Sequence, residues 1–154
     1  MSKHQDLDER SWVSHDEAAT EDIGARLVTM LPPDSTILLK GDLGAGKTVL
    51  VRGLSKPLGI DRRQVQSPSY ALIHEYEGTK GRLVHVDLFR LEPDEVPSLG
   101  LDELLDGPGF KAIEWGERLS EMPPGSVNIR IEAEGESGAR RITLQDVRDP
   151  RRRG

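Results

Sequence analysis

Eight residues restrict this chain more than any others: Gly41-Asp42-Leu43-Gly44-Ala45-Gly46-Lys47-Thr48. The spacing Gly-x-x-x-x-Gly-Lys-Thr is that of a Walker A phosphate-binding loop. Its flanks agree with it. Thr36-Ile37-Leu38-Leu39 is an apolar, β-branched run that suits a buried strand, and Val49-Leu50-Val51-Arg52-Gly53-Leu54 carries apolar residues at helical spacing. In that order the glycines let the backbone approach a ligand closely, and the loop amides form a nest at the positive end of the helix. Lys47 then reaches the β- and γ-phosphates, and the Thr48 hydroxyl binds Mg²⁺. A glycine-rich turn with a surface lysine would not need these flanks. The stretch implies a nucleoside triphosphate site.

The rest of the composition narrows the class. A chain of 154 residues suits one domain with a real core. Its 21 Lys and Arg against 27 Asp and Glu leave a net charge of −6, which argues against a protein whose main task is to hold nucleic acid by its phosphates. The absence of cysteine removes disulfide and zinc–thiolate chemistry and fits a reducing compartment. No apolar run is long enough to span a bilayer, and Met1 to Asp6 lacks a signal-peptide core, so the expectation is a soluble cytoplasmic protein.

Ser11-Trp12-Val13 reads as a short edge strand. Ser14 and Glu17 have capping-box spacing, which predicts a helix with Ser14 as N-cap and with Ile23, Leu27 and Met30 or Leu31 facing inward. Pro32-Pro33 ends it. Pro57 and Gly59 mark the end of the helix after the phosphate loop, and Asp61 to Gln66 is a polar connector. Ala71 to Tyr76 and Arg82 to Asp87 read as a hairpin around Gly78 to Gly81. Pro93 to Asp106 should hold one or two short helices broken near Pro97 and Gly100, with Leu99, Leu101, Leu104 and Leu105 inward. Phe110 to Glu114 reads as a core strand, Glu117 to Met122 as a short helix, and 127–132 with 141–144 as a C-terminal hairpin.

A phosphate loop needs an acid to hold the metal, commonly from the end of a neighbouring strand. Asp87 ends an apolar run and fits that role better than that of a solvent-facing strand end. Glu114 has the same position logic. It suits either an exposed acid or a group that orients the attacking water or ligates Mg²⁺, and composition does not separate the two. His85 shares a sheet face with Asp87 and reads as a packed or hydrogen-bonded histidine rather than a catalytic one. Trp115 reads as a core anchor. Ser67-Pro68-Ser69-Tyr70 is either an ordinary turn or a switch that senses the γ-phosphate. Arg90 meets phosphate charge or pairs on the surface. Without an Asn-Lys-x-Asp tetrapeptide to read guanine, ATP is favoured. A small-molecule kinase is the alternative enzyme class, with Arg62-Arg63 as a thin signal for a lid, and a nucleotide-gated binding module with negligible turnover is a third reading.

Taken together, Gly41 to Thr48, Ser67 to Tyr70, His85-Val86-Asp87-Leu88-Phe89-Arg90-Leu91 and Glu114-Trp115 resemble the TsaE (YjeE) family. This is a small bacterial ATPase required for threonylcarbamoyl modification of the adenosine beside the tRNA anticodon. The resemblance runs from about Ser14 to the C-terminal hairpin. It implies that Asp42, Leu43, Gly44, Ala45, Gly46, Lys47, Thr48 and Val49 bind ATP or ADP, with Thr48, Asp87 and Glu114 around Mg²⁺ and Lys47, Asp87 and Glu114 serving hydrolysis. It makes Ser67, Pro68, Ser69 and Tyr70 the switch loop, and puts Glu17 and the C-terminal hairpin over the adenine. It also implies a TsaD-like transferase and a TsaB-like subunit as partners, with tRNA engaged only indirectly. Ser69 stands where the family most often has threonine, and Pro57 suggests an early end or kink in the preceding helix.

The expected architecture is therefore α/β: a P-loop NTPase-like three-layer sandwich with a mixed central sheet and a C-terminal β-hairpin. Residues 1–147 make one ATPase domain, and 148–154 a disordered basic tail.

Overall fold

A computed structural model describes residues 9–42, 46–65, 73–119, 122–123 and 125–146. Seven strands form one sheet: β1 (Glu9–Ser14), β2 (Thr36–Lys40), β3 (Ile73–Glu77), β4 (Arg82–Asp87), β5 (Phe110–Glu114), β6 (Ser126–Glu134) and β7 (Ala139–Asp146). Their order is β1-β7-β6-β2-β5-β4-β3. Strand β2 is parallel to both β5 and β6, and β4 is parallel to β5. The β3–β4 and β6–β7 hairpins and the β1–β7 pair are antiparallel, which makes the sheet mixed with antiparallel margins.

Among the parallel strands, β2, β5 and β4 are largely apolar, interrupted by the buried Lys111 and His85, because both of their faces are covered. On one face lie α1 (Glu17–Met30) and α2 (Lys47–Ser55). Ile23, Leu27, Leu50 and Leu54 pack there against Ile37, Leu39 and Ile129. On the other face Leu38, Val84, Val86 and Ile113 meet Val96 and Leu101 from the segment 93–106. The alternation Ile37-Leu38-Leu39 thus feeds two separate apolar layers, and the three-layer expectation is met.

Several local expectations need correction. Ser14 is not the N-cap of α1. It is the last residue of β1, and its hydroxyl pairs with Thr20 Oγ1 at 2.6 Å. Asp16 caps the helix instead, accepting the Ala19 amide at 2.8 Å, because the strand runs to Ser14 and leaves Asp16 as the extended residue at the entry. Leu31 is buried while Met30 is 38 % exposed. Segment 93–106 breaks at Gly100 alone. Pro97 sits inside a 3-10 stretch, Pro93–Leu99, whose wider side-chain spacing tolerates it, and α3 (Leu101–Asp106) follows. Of the four leucines named there only Leu101 is fully buried; Leu99, Leu104 and Leu105 pack partly exposed against it. In place of a helix from Glu117 to Met122 there is one 3-10 turn, Gly116–Arg118. Pro57 does shorten α2, which tightens into a 3-10 turn over Lys56–Leu58. The polar connector contains another such turn, Arg62–Gln64, capped by Asp61. Ala71, Leu72 and the tail 148–154 lie outside the described residues, and among the described residues no helix is long and apolar enough to cross a membrane.

The two large helices are held close by a glycine on each. A Cβ on Gly53 would overlap the Glu21 carbonyl, and one on Gly24 would lie 2.5 Å from the Leu50 carbonyl oxygen. Beside this crossing, buried Glu21 accepts from Arg62 Nε at 2.9 Å and lies 3.5 Å from Lys56 Nζ. The Arg62 hydrogen bonds hold the Glu21 carboxyl below its ordinary 4.5, against the opposing effect of burial. The crossing matters for function because it fixes where both helices begin.

Replacing Gly53 with Ala should therefore lower stability by about 1–3 kcal/mol, despite the roughly 1 kcal/mol that alanine gains in helix propensity. A lower urea midpoint with an unchanged slope is the expected reading. Glu21→Gln should cost about 1–2 kcal/mol at neutral pH. Because the folded carboxyl titrates below 4.5, wild type has this advantage at pH above 4.5 and loses it as the pH falls through the folded value. Melting curves of the two proteins should converge on acidification.

Candidate functional site

The site lies at the carboxyl end of β2, where the chain's successive parallel strands are laid to opposite sides: β6 on one, β5 and then β4 on the other. In open α/β sheets a crevice forms at such a point. Gly41 and Asp42 leave β2, and Gly46 enters α2 with φ of +109°, a conformation that a side chain would strain. No side chain caps α2. Its first amides have no intrahelical partner and remain available to an anion.

Lys47, the first residue of α2, does not point to solvent. It is 6 % exposed, and its ammonium group donates to the Gly41 carbonyl at 2.8 Å. It lies 3.7 Å from Glu114 Oε1 and 5.0 Å from the centroid of the Trp115 ring. Thr48 and Val49 follow, half-buried, on the same first turn.

Asp87 and Glu114 are register partners at the ends of parallel β4 and β5, so both carboxyls rise from the same face of the sheet as α2. Glu114 is buried, and its other oxygen, Oε2, is 2.7 Å from His85 Nε2. Asp87 is half-buried and accepts the Phe89 amide at 2.9 Å. Burial pushes the Asp87 carboxyl above its ordinary range, the Phe89 amide opposes this, and the negative charge of Glu114 adds to the rise. An acid held in that condition gains from a cation.

Just past Glu114 the backbone of Trp115 turns left-handed, with φ of +62°. This sends the ring back over the Lys47 ammonium group, with Phe89 5.0 Å away and the Arg118 guanidinium 5.6 Å away. Arg118 also donates to the Phe89 carbonyl at 3.0 Å and to that of Leu91, tying the turn after β4 to the turn after β5. Arg90 lies exposed in that turn.

A second depression adjoins the start of α2. Ser14, Asp16, Glu17 and Thr20 line it from one side, Gly46 and Val49 from below, and Gly138 and Arg140 from the β6–β7 turn. The start of α1 and the C-terminal hairpin thus meet beside the first turn of α2.

The structure brings Lys47 to Glu114, sets Asp87 level with Glu114 and places Thr48 and Val49 on the first turn of α2 beside Lys47, whereas Glu17 lines the adjoining depression with Gly46 and Val49. Leu43, Gly44, Ala45 and Ser67, Pro68, Ser69 and Tyr70 lie outside the described residues. Among the described residues no three His, Cys, Asp or Glu side chains cluster as a metal cage. Mg²⁺ does not need one, since it is commonly held by one or two carboxylates together with substrate phosphates and water. The Asp87–Glu114 pair and the Thr48 hydroxyl suit that mode. His85 is hydrogen-bonded, as its position predicts, and the partner is Glu114. Trp115 packs against the second apolar layer, as a core anchor does, and its ring also covers Lys47. The signal for His85 was its two-residue spacing from Asp87; for Trp115 it was adjacency to Glu114.

Residues 14–142 match the family model for threonylcarbamoyl adenosine biosynthesis protein TsaE. The tRNA threonylcarbamoyladenosine biosynthesis protein TsaE of a Nostoc species is 46 % identical over 135 residues, covering 84 % of this chain and 81 % of that one. Its counterpart from Bacillus subtilis is 36 % identical, with 88 % and 85 % covered. The crystal structure of Bacillus subtilis YdiB superposes with a TM-score of 0.72 at 29 % identity, over 93 % of this chain and 88 % of that one. In sequence and in its P-loop fold, this chain belongs to the TsaE family of tRNA threonylcarbamoyladenosine biosynthesis.

Proposed function

We propose that the chain binds ATP with Mg²⁺ and hydrolyses it to ADP and phosphate, as the nucleotide-dependent subunit of a tRNA-modifying complex. The observation that carries this reading is the buried Lys47 ammonium group between the Gly41 carbonyl and Glu114, at the uncapped start of α2. A lysine is held there at a desolvation cost that a triphosphate would offset.

In this reading the main-chain amides of the loop and of the first turn of α2 take the phosphate oxygens, and Lys47 swings from Glu114 to the β- and γ-phosphates. Asp87 and the Thr48 hydroxyl would hold Mg²⁺, directly or through water, and the ion would supply positive charge to the phosphates. Glu114, freed from the lysine, accepts a hydrogen bond from the attacking water and orients it in line. Trp115 and Phe89 shield that side from bulk solvent. The depression between Glu17, Val49 and Arg140 takes the nucleoside end. The switch role of Ser67 to Tyr70 belongs to the same reading.

Family membership and the acidic net charge support partners that do the chemistry on tRNA in this chain's place: a TsaD-like transferase with a TsaB-like subunit. Capture of that pair by the immobilised chain should depend on whether ATP or ADP is present, and equal capture with both would remove the nucleotide from the assembly step.

Calorimetry should show ATP and ADP binding to wild type and none to Lys47→Ala, while Glu114→Gln keeps binding and loses hydrolysis by roughly 10²-fold. Free inorganic phosphate is the expected product; hydrolysis that survives Lys47→Ala unchanged would refute the reading. Asp87→Asn should likewise lose Mg²⁺-dependent hydrolysis, yet melt at a higher temperature than wild type when Mg²⁺ is absent. The sign follows from its raised carboxyl. The unfolded group ionises near 3.8 and the folded one at higher pH, so wild type loses stability as pH rises through the folded value. The gap between the two proteins should close below pH 3.8.

A further inference from the structure

His85 is a buried titratable group beside the site that the reading above leaves without a task. It is fully buried at the centre of β4, between β3 and β5, and its Nε2 lies 2.7 Å from Glu114 Oε2. Its Nδ1 is buried with no hydrogen-bond partner among the described residues. A carboxylate oxygen can only accept, so the hydrogen between the two belongs to Nε2. A bare lone pair at Nδ1 is a smaller cost than a buried N–H with nothing to receive it, which gives the same tautomer.

Glu114 is therefore gripped unequally. Oε2 has a short bond to a side chain fixed in the middle of a sheet, whereas among the described residues Oε1 has only the ammonium group of Lys47, at 3.7 Å. From these distances we infer that His85 is a positioning residue that reserves one oxygen of Glu114, so that nucleotide binding releases only the other. When Lys47 turns to phosphate, Oε1 loses its partner and Oε2 keeps His85. The carboxylate cannot swing into the space the lysine has left. It presents a single oxygen, in a fixed direction, to the water beside the γ-phosphate. An orienting partner of this kind acts on the rate and leaves substrate affinity to the loop. This inference rests on the ATPase reading.

Three variants and one spectrum test it. His85→Leu keeps the volume and removes the donor. His85→Gln places an amide N–H at about the reach of Nε2. The third is the double variant His85→Leu with Glu114→Gln. The expected result is a kcat reduced by about 10–100-fold in His85→Leu, with KM and ADP affinity within about twofold of wild type. His85→Gln should recover most of the rate. In the Glu114→Gln background His85→Leu should cost nothing further, because its effect passes through that carboxylate. Nitrogen NMR of the nucleotide-free wild type should show His85 protonated at Nε2 and bare at Nδ1, a readout independent of turnover and of any variant's folding.

A folded His85→Leu protein with wild-type kcat overturns the inference. So does a His85→Gln protein as slow as His85→Leu, a further loss in the Glu114→Gln background, or a ring protonated at Nδ1 alone. If His85→Leu does not fold, the Gln variant and the spectrum decide. A wild type that does not hydrolyse ATP overturns the ATPase reading and the role of His85 with it; a wild-type ATPase indifferent to His85 overturns only the latter.

Discussion

The bond from the Lys47 ammonium group to the Gly41 carbonyl is the contact on which the site depends. It closes the phosphate loop on itself, the last turn of the loop held to the residue that leaves β2. For it to exist, β2 must end at the surface and α2 must begin directly above it. Those two conditions require the sheet beneath to be covered on both faces and α2 to be pressed against α1. The apolar layers supply the first. The reciprocal glycine contact at Gly24 and Gly53 supplies the second, since neither helix can rise without opening the core around Leu27, Leu50 and Leu54.

The same lysine explains why the acids sit where they do. A cation enclosed at the end of a parallel strand needs countercharge from the neighbouring strands. Register fixes which residues can provide it. Leu39 is level with Glu114, and Glu114 is level with Asp87, so one step across the sheet brings each acid toward the loop. Their unequal surroundings follow from position. Glu114 comes from a strand with neighbours on both sides and is buried. Asp87 comes from one place further toward the edge and keeps access to solvent.

Much of this was legible in the chain because strong local signals agreed with the tertiary outcome. The phosphate-loop spacing, the apolar strands and acids at strand ends each follow from backbone geometry, and β5 and α2 lie where those patterns put them. The misreadings share a cause. At Ser14 a strand and a helix competed for the same residues, and long-range pairing of β1 with β7 decided in favour of the strand, leaving Asp16 to cap. At Pro97 a local rule against proline in α-helices was applied to a segment that is 3-10. His85 and Trp115 have the hydrogen-bonding and packing roles that their positions predict, but their partners at the site, Glu114 and Lys47, lie 29 and 68 positions away, which no local pattern encodes.

A site of this kind opposes the fold that carries it. Lys47, His85 and Glu114 are buried polar groups in what would otherwise be a dry strand end, and Asp87 carries a charge whose burial is only partly relieved by one amide. Replacing such groups with apolar residues of similar size is commonly neutral or stabilising. Their retention therefore has to be explained by what they do with a ligand, and the arrangement of the orphaned valences points the same way. Glu114 is satisfied on one oxygen by a rigid neighbour and approached on the other by a mobile cation, while Asp87 has one oxygen bound to an amide. Buried atoms without a partner among the described residues also occur elsewhere in the sheet, at Arg82 Nε and Asn128 Oδ1. The lysine and the two acids nevertheless stand together at the carboxyl ends of β2, β5 and β4, where a metal-bound polyphosphate would complete them.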